Sequence, residues 1–169
     1  VGATELAAGS GDIQMPFPAF FGPPNTADFG GPVSVLSGNN VLLNDTNSIQ
    51  LGNVTTTGTL TVQANGSITG SADLDVGGGT VLNATAAHDI TLTGANQFAA
   101  TVTIQGGDDV TLNAASGFNL DSAVVAGNLA ITATGDITNT GASTITGTTT
   151  LDAATANITL NAANNFGGA

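Results

Sequence analysis

Residues 88–118 read HDITLTGANQFAATVTIQGGDDVTLNAASGF, and one phrase occurs in them twice, as DITLTGANQF and then as DVTLNAASGF. A third version, NITLNAANNF, spans residues 157–166. Each opens with an apolar–polar–apolar triplet behind an Asp or Asn. A short period-2 run bounded by Asn, Asp and Gly is the pattern of a strand with one buried face. The repetition decides the fold, because a chain that rewrites one strand-forming phrase at a fixed interval stacks equivalent units.

Working outward from Ile90, equivalent positions are Ile49, Ile68, Val110, Ile137 and Ile158, at steps of 19, 22, 20, 27 and 21 along the chain. Eight positions beyond four of these stand Phe98, Phe118, Ile145 and Phe166, and Val76 matches after Ile68. Fourteen beyond Ile90 is Ile104, matched by Leu82 and Leu151, with Val62 and Ile131 as further equivalents. Each period therefore holds two short strands and an apolar plug. A period near 20 is too short for a helix-containing repeat other than the leucine-rich type, and its L-x-x-L-x-L spacing is absent. The chain is thus expected to be all-β, a parallel β-solenoid of about five to six coils over residues 33–169. The 27-residue step is read as a coil with a seven-residue loop inserted at residues 119–125. The six aliphatic anchors are expected in one interior column. Phe98, Phe118 and Phe166 are expected in another, about 4.8 Å apart, as an aromatic ladder.

Residues 1–32 differ. They hold all five prolines and four of the seven phenylalanines. Pro cannot donate to a sheet ladder, so this stretch reads as an extended arm outside the coils. It either caps the first coil or docks on a second copy through Phe17, Pro18, Phe20, Phe21, Pro23 and Pro24. The far end closes on NNFGGA shortly after a coil begins. It is expected to expose Phe166 and a strand edge that another copy, or more of a longer chain, covers. The chain begins at Val1, as in a processed chain or an excised segment. Together these features lead to a structural subunit of an extracellular fibre, assembling head-to-tail with itself.

Charge narrows the alternatives. There is no Lys or Arg among 169 residues, and the net charge is −12. Phosphate-binding chemistry has no basic residue to use, which argues against nucleic-acid partners and against anionic membrane surfaces. No apolar run approaches the roughly 20 residues of a membrane span. Catalysis finds only His88 and Asp108–Asp109, and neighbours on a strand face opposite ways, so no enzymatic activity and no organic cofactor are expected.

Asp89, Asp109 and Asp136 precede successive anchors, with Asn157 in the equivalent place. They read either as turn caps accepting backbone N–H groups or as a Ca²⁺-binding column of oxygen ligands. The outward column Thr69, Thr91, Thr111, Thr138 and Thr159 suits exposed strands; a second use of such a face is binding to glycans or ice. Sequons stand at Asn44, Asn53, Asn65, Asn83 and Asn157.

The phrases DITLTGANQF, DVTLNAASGF, NLAITATGDITNTG and GTTTLDAATANITLNAANNF, within about residues 40–169, resemble the haemagglutinin-type repeats of large secreted bacterial adhesins of the two-partner secretion class. That resemblance implies a right-handed parallel β-helix. It also implies an alternative role as the passenger fragment of an adhesin that recognises host or matrix glycans.

Overall fold

The computed structural model describes residues 2–15 and 27–168. Among them every regular element is a strand. Coil by coil these are β1 (Thr4–Ala7) and β2 (Ile13–Gln14), β3 (Val33–Ser37) and β4 (Val41–Asp45), then β5 (Ile49–Thr56) and β6 (Leu60–Ala64). Next come β7 (Ile68–Gly70), β8 (Leu74–Val76) and β9 (Thr80–Asn83), followed by β10 (Ile90–Leu92), β11 (Gln97–Phe98) and β12 (Thr101–Gly107). The rest are β13 (Val110–Ala114) and β14 (Phe118–Val125), β15 (Leu129–Ala133), β16 (Ile137–Asn139) and β17 (Thr144–Ile145), and finally β18 (Thr149–Asp152), β19 (Ile158–Leu160) and β20 (Asn165–Phe166).

The first sheet runs β1-β3-β5-β7-β10-β13-β15-β18 and the second β2-β4-β6-β9-β12-β14-β16-β19, all in parallel pairs, with β8, β11, β17 and β20 flanking them. The chain is an all-β solenoid of about seven turns, rather than five to six. Local sequence explains each strand. In LTVQA, VTLNA and LAITA the first, third and fifth residues point inward and are buried. Leu60, Val62, Ile68, Leu82, Ile90 and Leu112 are fully buried in the continuous core between the sheets. Each such side chain contributes roughly 1.5–3 kcal/mol by leaving water. One coil alone has nothing to bury them against.

Sequence and structure part company at the 27-residue step. Residues 119–125 are not an inserted loop; they belong to β14. Ile49, Ile68, Ile90 and Val110 do stack in the first sheet, but the next residue there is Leu129. Ile137 and Ile158 lie in the second sheet, stacked on Phe118. The aromatic ladder breaks at the same place. Phe98 and Phe118 meet edge to face, with ring centroids 5.8 Å apart, whereas Phe166 pairs with Ile145, which pairs with Val125.

The cause is a second, longer period. Val41, Leu43, Leu60 and Ile68 recur at one constant offset as Val110, Leu112, Leu129 and Ile137. Ile90 and Phe98 recur at an offset one position shorter as Ile158 and Phe166. Strand pairing repeats with them. The β4–β6, β5–β7 and β5–β8 pairs reappear as β13–β15, β14–β16 and β14–β17. The β6–β9, β7–β10 and β8–β11 pairs reappear as β15–β18, β16–β19 and β17–β20. In every case the pair has changed sheet or flank. From Val41 the second sheet steps through Leu60, Thr80 and Val102 before the chain crosses to Val110 in the first. The unit is therefore three and a half coils, and consecutive units are related by a half-turn about the solenoid axis.

The same equivalence reaches the first coil. The β1–β3 pairing (Thr4↔Val33, Leu6↔Val35) matches β9–β12 (Thr80↔Val102, Leu82↔Ile104). Likewise β2–β4 (Ile13↔Val41) matches β10–β13 (Ile90↔Val110). The sheets thus begin before residue 33, where the solenoid was expected to start. Ile13 and Phe29 stand twice as far apart along the chain as their equivalents Ile90 and Phe98. Residues 16–26 thus fall in sequence between β2 and the bridge from Ala27 to Asp45. Phe17, Pro18, Phe20, Phe21, Pro23 and Pro24 lie outside the described residues.

Candidate functional site

The polar residues expected to carry chemistry are mostly engaged in holding coil to coil. At one corner Ser48 Oγ accepts the Ser67 N–H (3.0 Å), and Ser67 Oγ accepts that of Asp89 (3.3 Å). Asp89 Oδ1 accepts the Asp109 N–H (3.2 Å), Asp109 Oδ1 that of Asn128 (2.7 Å), and Asn128 Oδ1 that of Thr148 (2.8 Å). Asp136 stands elsewhere, ahead of β16 in the second sheet, where its Oδ1 accepts the Asn157 N–H (2.9 Å). The half-turn makes that bond the counterpart of Ser67 to Asp89. The structure thus stacks Asp89 with Asp109 and does not bring Asp136 to them. Among the described residues no group of three or more His, Cys, Asp or Glu side chains is placed to hold a metal ion. Each rung is a side-chain oxygen receiving a turn N–H of the next coil, worth about 0.5–1.5 kcal/mol, or more where the acceptor is ionised.

The first coil is tied in the same way. Asp12 Oδ1 accepts the Asn40 N–H at 2.9 Å and the side-chain amides of Asn39 and Asn40. These bonds, the backbone one foremost, hold the Asp12 carboxyl below its ordinary value. His88 Nδ1 lies 3.1 Å from Thr85 Oγ1, and Asp108 sends its backbone N–H to His88 O. Asp108 and Asp109 lie in the turn between β12 and β13, and both bring an Oδ1 over Gly127 of the next coil.

Asn96 was not singled out from sequence. It is fully buried; its Oδ1 accepts the Leu74 N–H (3.1 Å), and its Nδ2 donates to Leu92 O (3.3 Å) and Asn113 O (2.9 Å). One side chain so joins three coils. Its half-turn counterpart, Asn164, accepts the Ser143 N–H at 3.0 Å and the Asn139 amide at 2.9 Å. The offset that relates Ile90 to Ile158 and Phe98 to Phe166 was the signal that identifies the pair.

Among the described residues four large apolar side chains are exposed; Ile158 and Phe166 lie at the edge formed by β18, β19 and β20, whereas Leu36 in β3 and Val124 in β14 lie away from it. Ile158 is 46% exposed and Phe166 38%, although their equivalents Ile90 and Phe98 are 0% and 4% exposed. Leu151 is half-buried at the same edge. Of the outward threonines, Thr69, Thr91 and Thr111 form one row with Gln50; Thr138 and Thr159 continue from Asn119 on the other sheet. Of the sequon asparagines, Asn44 is buried, 6% exposed, beyond the reach of sugar transfer to the folded chain. Asn53, Asn65 and Asn157 are exposed and Asn83 half-buried.

These features define a class, the repeat-built parallel β-solenoids, in which side-chain ladders fix the coil register. Within it, the model for the family described as "Repeats of unknown function (DUF5649)" matches residues 38–105 and 107–169, and the chain belongs to that family. The two matches begin at equivalent points, just ahead of Val41 and Val110, so each covers one half-turn unit. No curated protein and no solved structure matches the chain. Of the expected resemblance, the repetitive parallel solenoid stands; the haemagglutinin-type repeat and two-partner secretion class are not among the matches.

Proposed function

We propose that the chain is a structural element of an extracellular, cell-surface fibre that extends along the solenoid axis by stacking coil on coil with further copies of itself. The observation that supports this reading is the edge at β18–β20. Ile158 and Phe166 occupy interior columns yet remain 46% and 38% exposed. A coil laid on this edge would bury both and pair its free strand backbone. Burial of two such side chains contributes several kcal/mol, at roughly 1.5–3 kcal/mol each. The wall of the solenoid carries acids and no lysine or arginine, which favours end-to-end over side-by-side contact. A second reading, the adhesin passenger, draws on the row Gln50, Thr69, Thr91 and Thr111; glycan arrays and a thermal-hysteresis assay on the isolated chain test it, with Thr91→Ala and Thr111→Ala as controls.

Electron microscopy and sedimentation test the fibre reading directly. Filaments are expected from the full chain, and their loss from Phe166→Glu combined with Ile158→Glu. A full chain that stays monomeric at high concentration would refute self-assembly.

A further inference from the structure

The half-turn equivalence identifies what fits the open edge. Within the chain, β9, β10 and Phe98 are covered by β12, β13 and Phe118. β18, β19 and Phe166 are the equivalents of β9, β10 and Phe98, so a coil that covers them has the sequence character of β12 and β13. The chain carries that character once more, in β3 and β4: VSVLSGNNVLLN at residues 33–44 corresponds to VTIQGGDDVTLN at residues 102–113. In the chain β3 and β4 are covered from below by β1 and β2. The first coil and the last coil are therefore alternative occupants of one face, with Thr4, Leu6, Ile13 and Phe29 at the positions of Thr149, Leu151, Ile158 and Phe166.

We propose that fibre joints form by coil exchange: the last coil of one copy displaces β1 and β2 of the next and pairs with its β3 and β4. The inference rests on the fibre reading and names its partner surface. The exchanged pairs are Thr149↔Val33, Leu151↔Val35 and Ile158↔Val41, with Phe166 over Ile49 in the place of Phe29.

The last coil is the better occupant on three counts. β19 is longer than β2 by one residue. Asn157 takes the place of Asp12 and Thr150 that of Glu5; these replacements keep an acceptor for the Asn40 N–H and remove two carboxylates from a joint between chains of net charge −12. Most tellingly, Asn164 takes the place of Ala27. Thr46 donates its N–H to Ala27 O as Ala115 donates to Asn96 O, so the backbones correspond. Ala27 has no amide, whereas Asn164 brings to Asn44 O the bond that Asn96 makes to Asn113 O.

A disulfide lock tests the exchange in the full chain, which has no cysteine of its own. Gln14 and Leu42 are neighbours in register across β2 and β4. In Gln14→Cys with Leu42→Cys, oxidation pins the first coil in place. Filaments are expected under reducing conditions and monomers under oxidising ones. Deleting residues 1–31 should lower the critical concentration for assembly by roughly tenfold or more, because displacement no longer reduces the competent fraction. Equal assembly of the oxidised and reduced forms overturns coil exchange while leaving the fibre reading in place. No assembly by any form, including a deletion variant that keeps its β-sheet circular dichroism, overturns both and assigns the edge to a further coil of the same polypeptide.

Discussion

Replacing Asn96 with alanine probes the ladder where it is most deeply set. The side chain is fully buried and makes bonds of 3.1, 3.3 and 2.9 Å to three coils. Truncation orphans the Leu74 N–H, which is buried, and the Asn113 O, which is half-buried, at a cost of about 1–3 kcal/mol for each, the first the larger. The bond to Leu92 O is the longest of the three and adds least. A loss of about 3–4 kcal/mol is expected. The control is Asn164→Ala at the last coil, where the side chain is half-buried; it removes the bond from the Ser143 N–H, equivalent to that from Leu74, and the bond from the Asn139 amide, which has no counterpart at Asn96. There water can take up the Ser143 N–H and the Asn139 amide, and the cost should be about 0.5–1.5 kcal/mol. Urea titrations followed by circular dichroism give the two totals. Native-state hydrogen exchange at the Leu74 amide localises the effect, where about 2 kcal/mol of extra destabilisation corresponds to roughly 30-fold faster opening. Equal costs for the two variants, or an unchanged Leu74 amide, would refute the view that burial rather than bond count sets the value of these rungs.

Thr80, 1% exposed, and its half-turn counterpart Thr149 both hold a buried hydroxyl without a hydrogen-bond partner. Thr80→Val, which replaces that hydroxyl with a methyl group, should raise stability by about 1 kcal/mol in the same urea titration; a loss would show that the hydroxyl is satisfied in solution. Asp12 has its folded pKa lowered from 3.8, chiefly by the Asn40 N–H. A group so shifted stabilises the fold fully above its ordinary value, and the contribution disappears as pH falls through the depressed folded value. The protection factor of the Asn40 amide, its exchange relative to the unstructured rate at the same pH, should therefore fall below about pH 4 in the native chain, and Asp12→Asn should remove that pH dependence.

Strand phrases such as DITL and NITL are legible because in–out–in alternation reports burial locally, and Ile49, Ile68, Ile90 and Val110 stack as read. What a single sequence hides is the side of the solenoid on which a phrase falls. Ile90 and Ile158 sit in near-identical phrases, DITL and NITL, yet on opposite sheets, because a strand's pattern specifies inward and outward and says nothing of which wall it belongs to. The 27-residue step was the visible trace: aligning like with like forced Val110 onto Ile137, when the true neighbour of Val110 was Leu129, nearer in the chain. Duplicating a unit of three and a half coils leaves a half-coil remainder, and that remainder has a physical consequence. A unit of whole coils would place every copy of an exposed residue on one side. The half-turn instead sets Thr69 and Thr138 on opposite sheets, and likewise the rungs at Ser67 and Asp136. Two consecutive units restore the starting sheet, so a longer run of this family presents each surface feature alternately left and right along the axis.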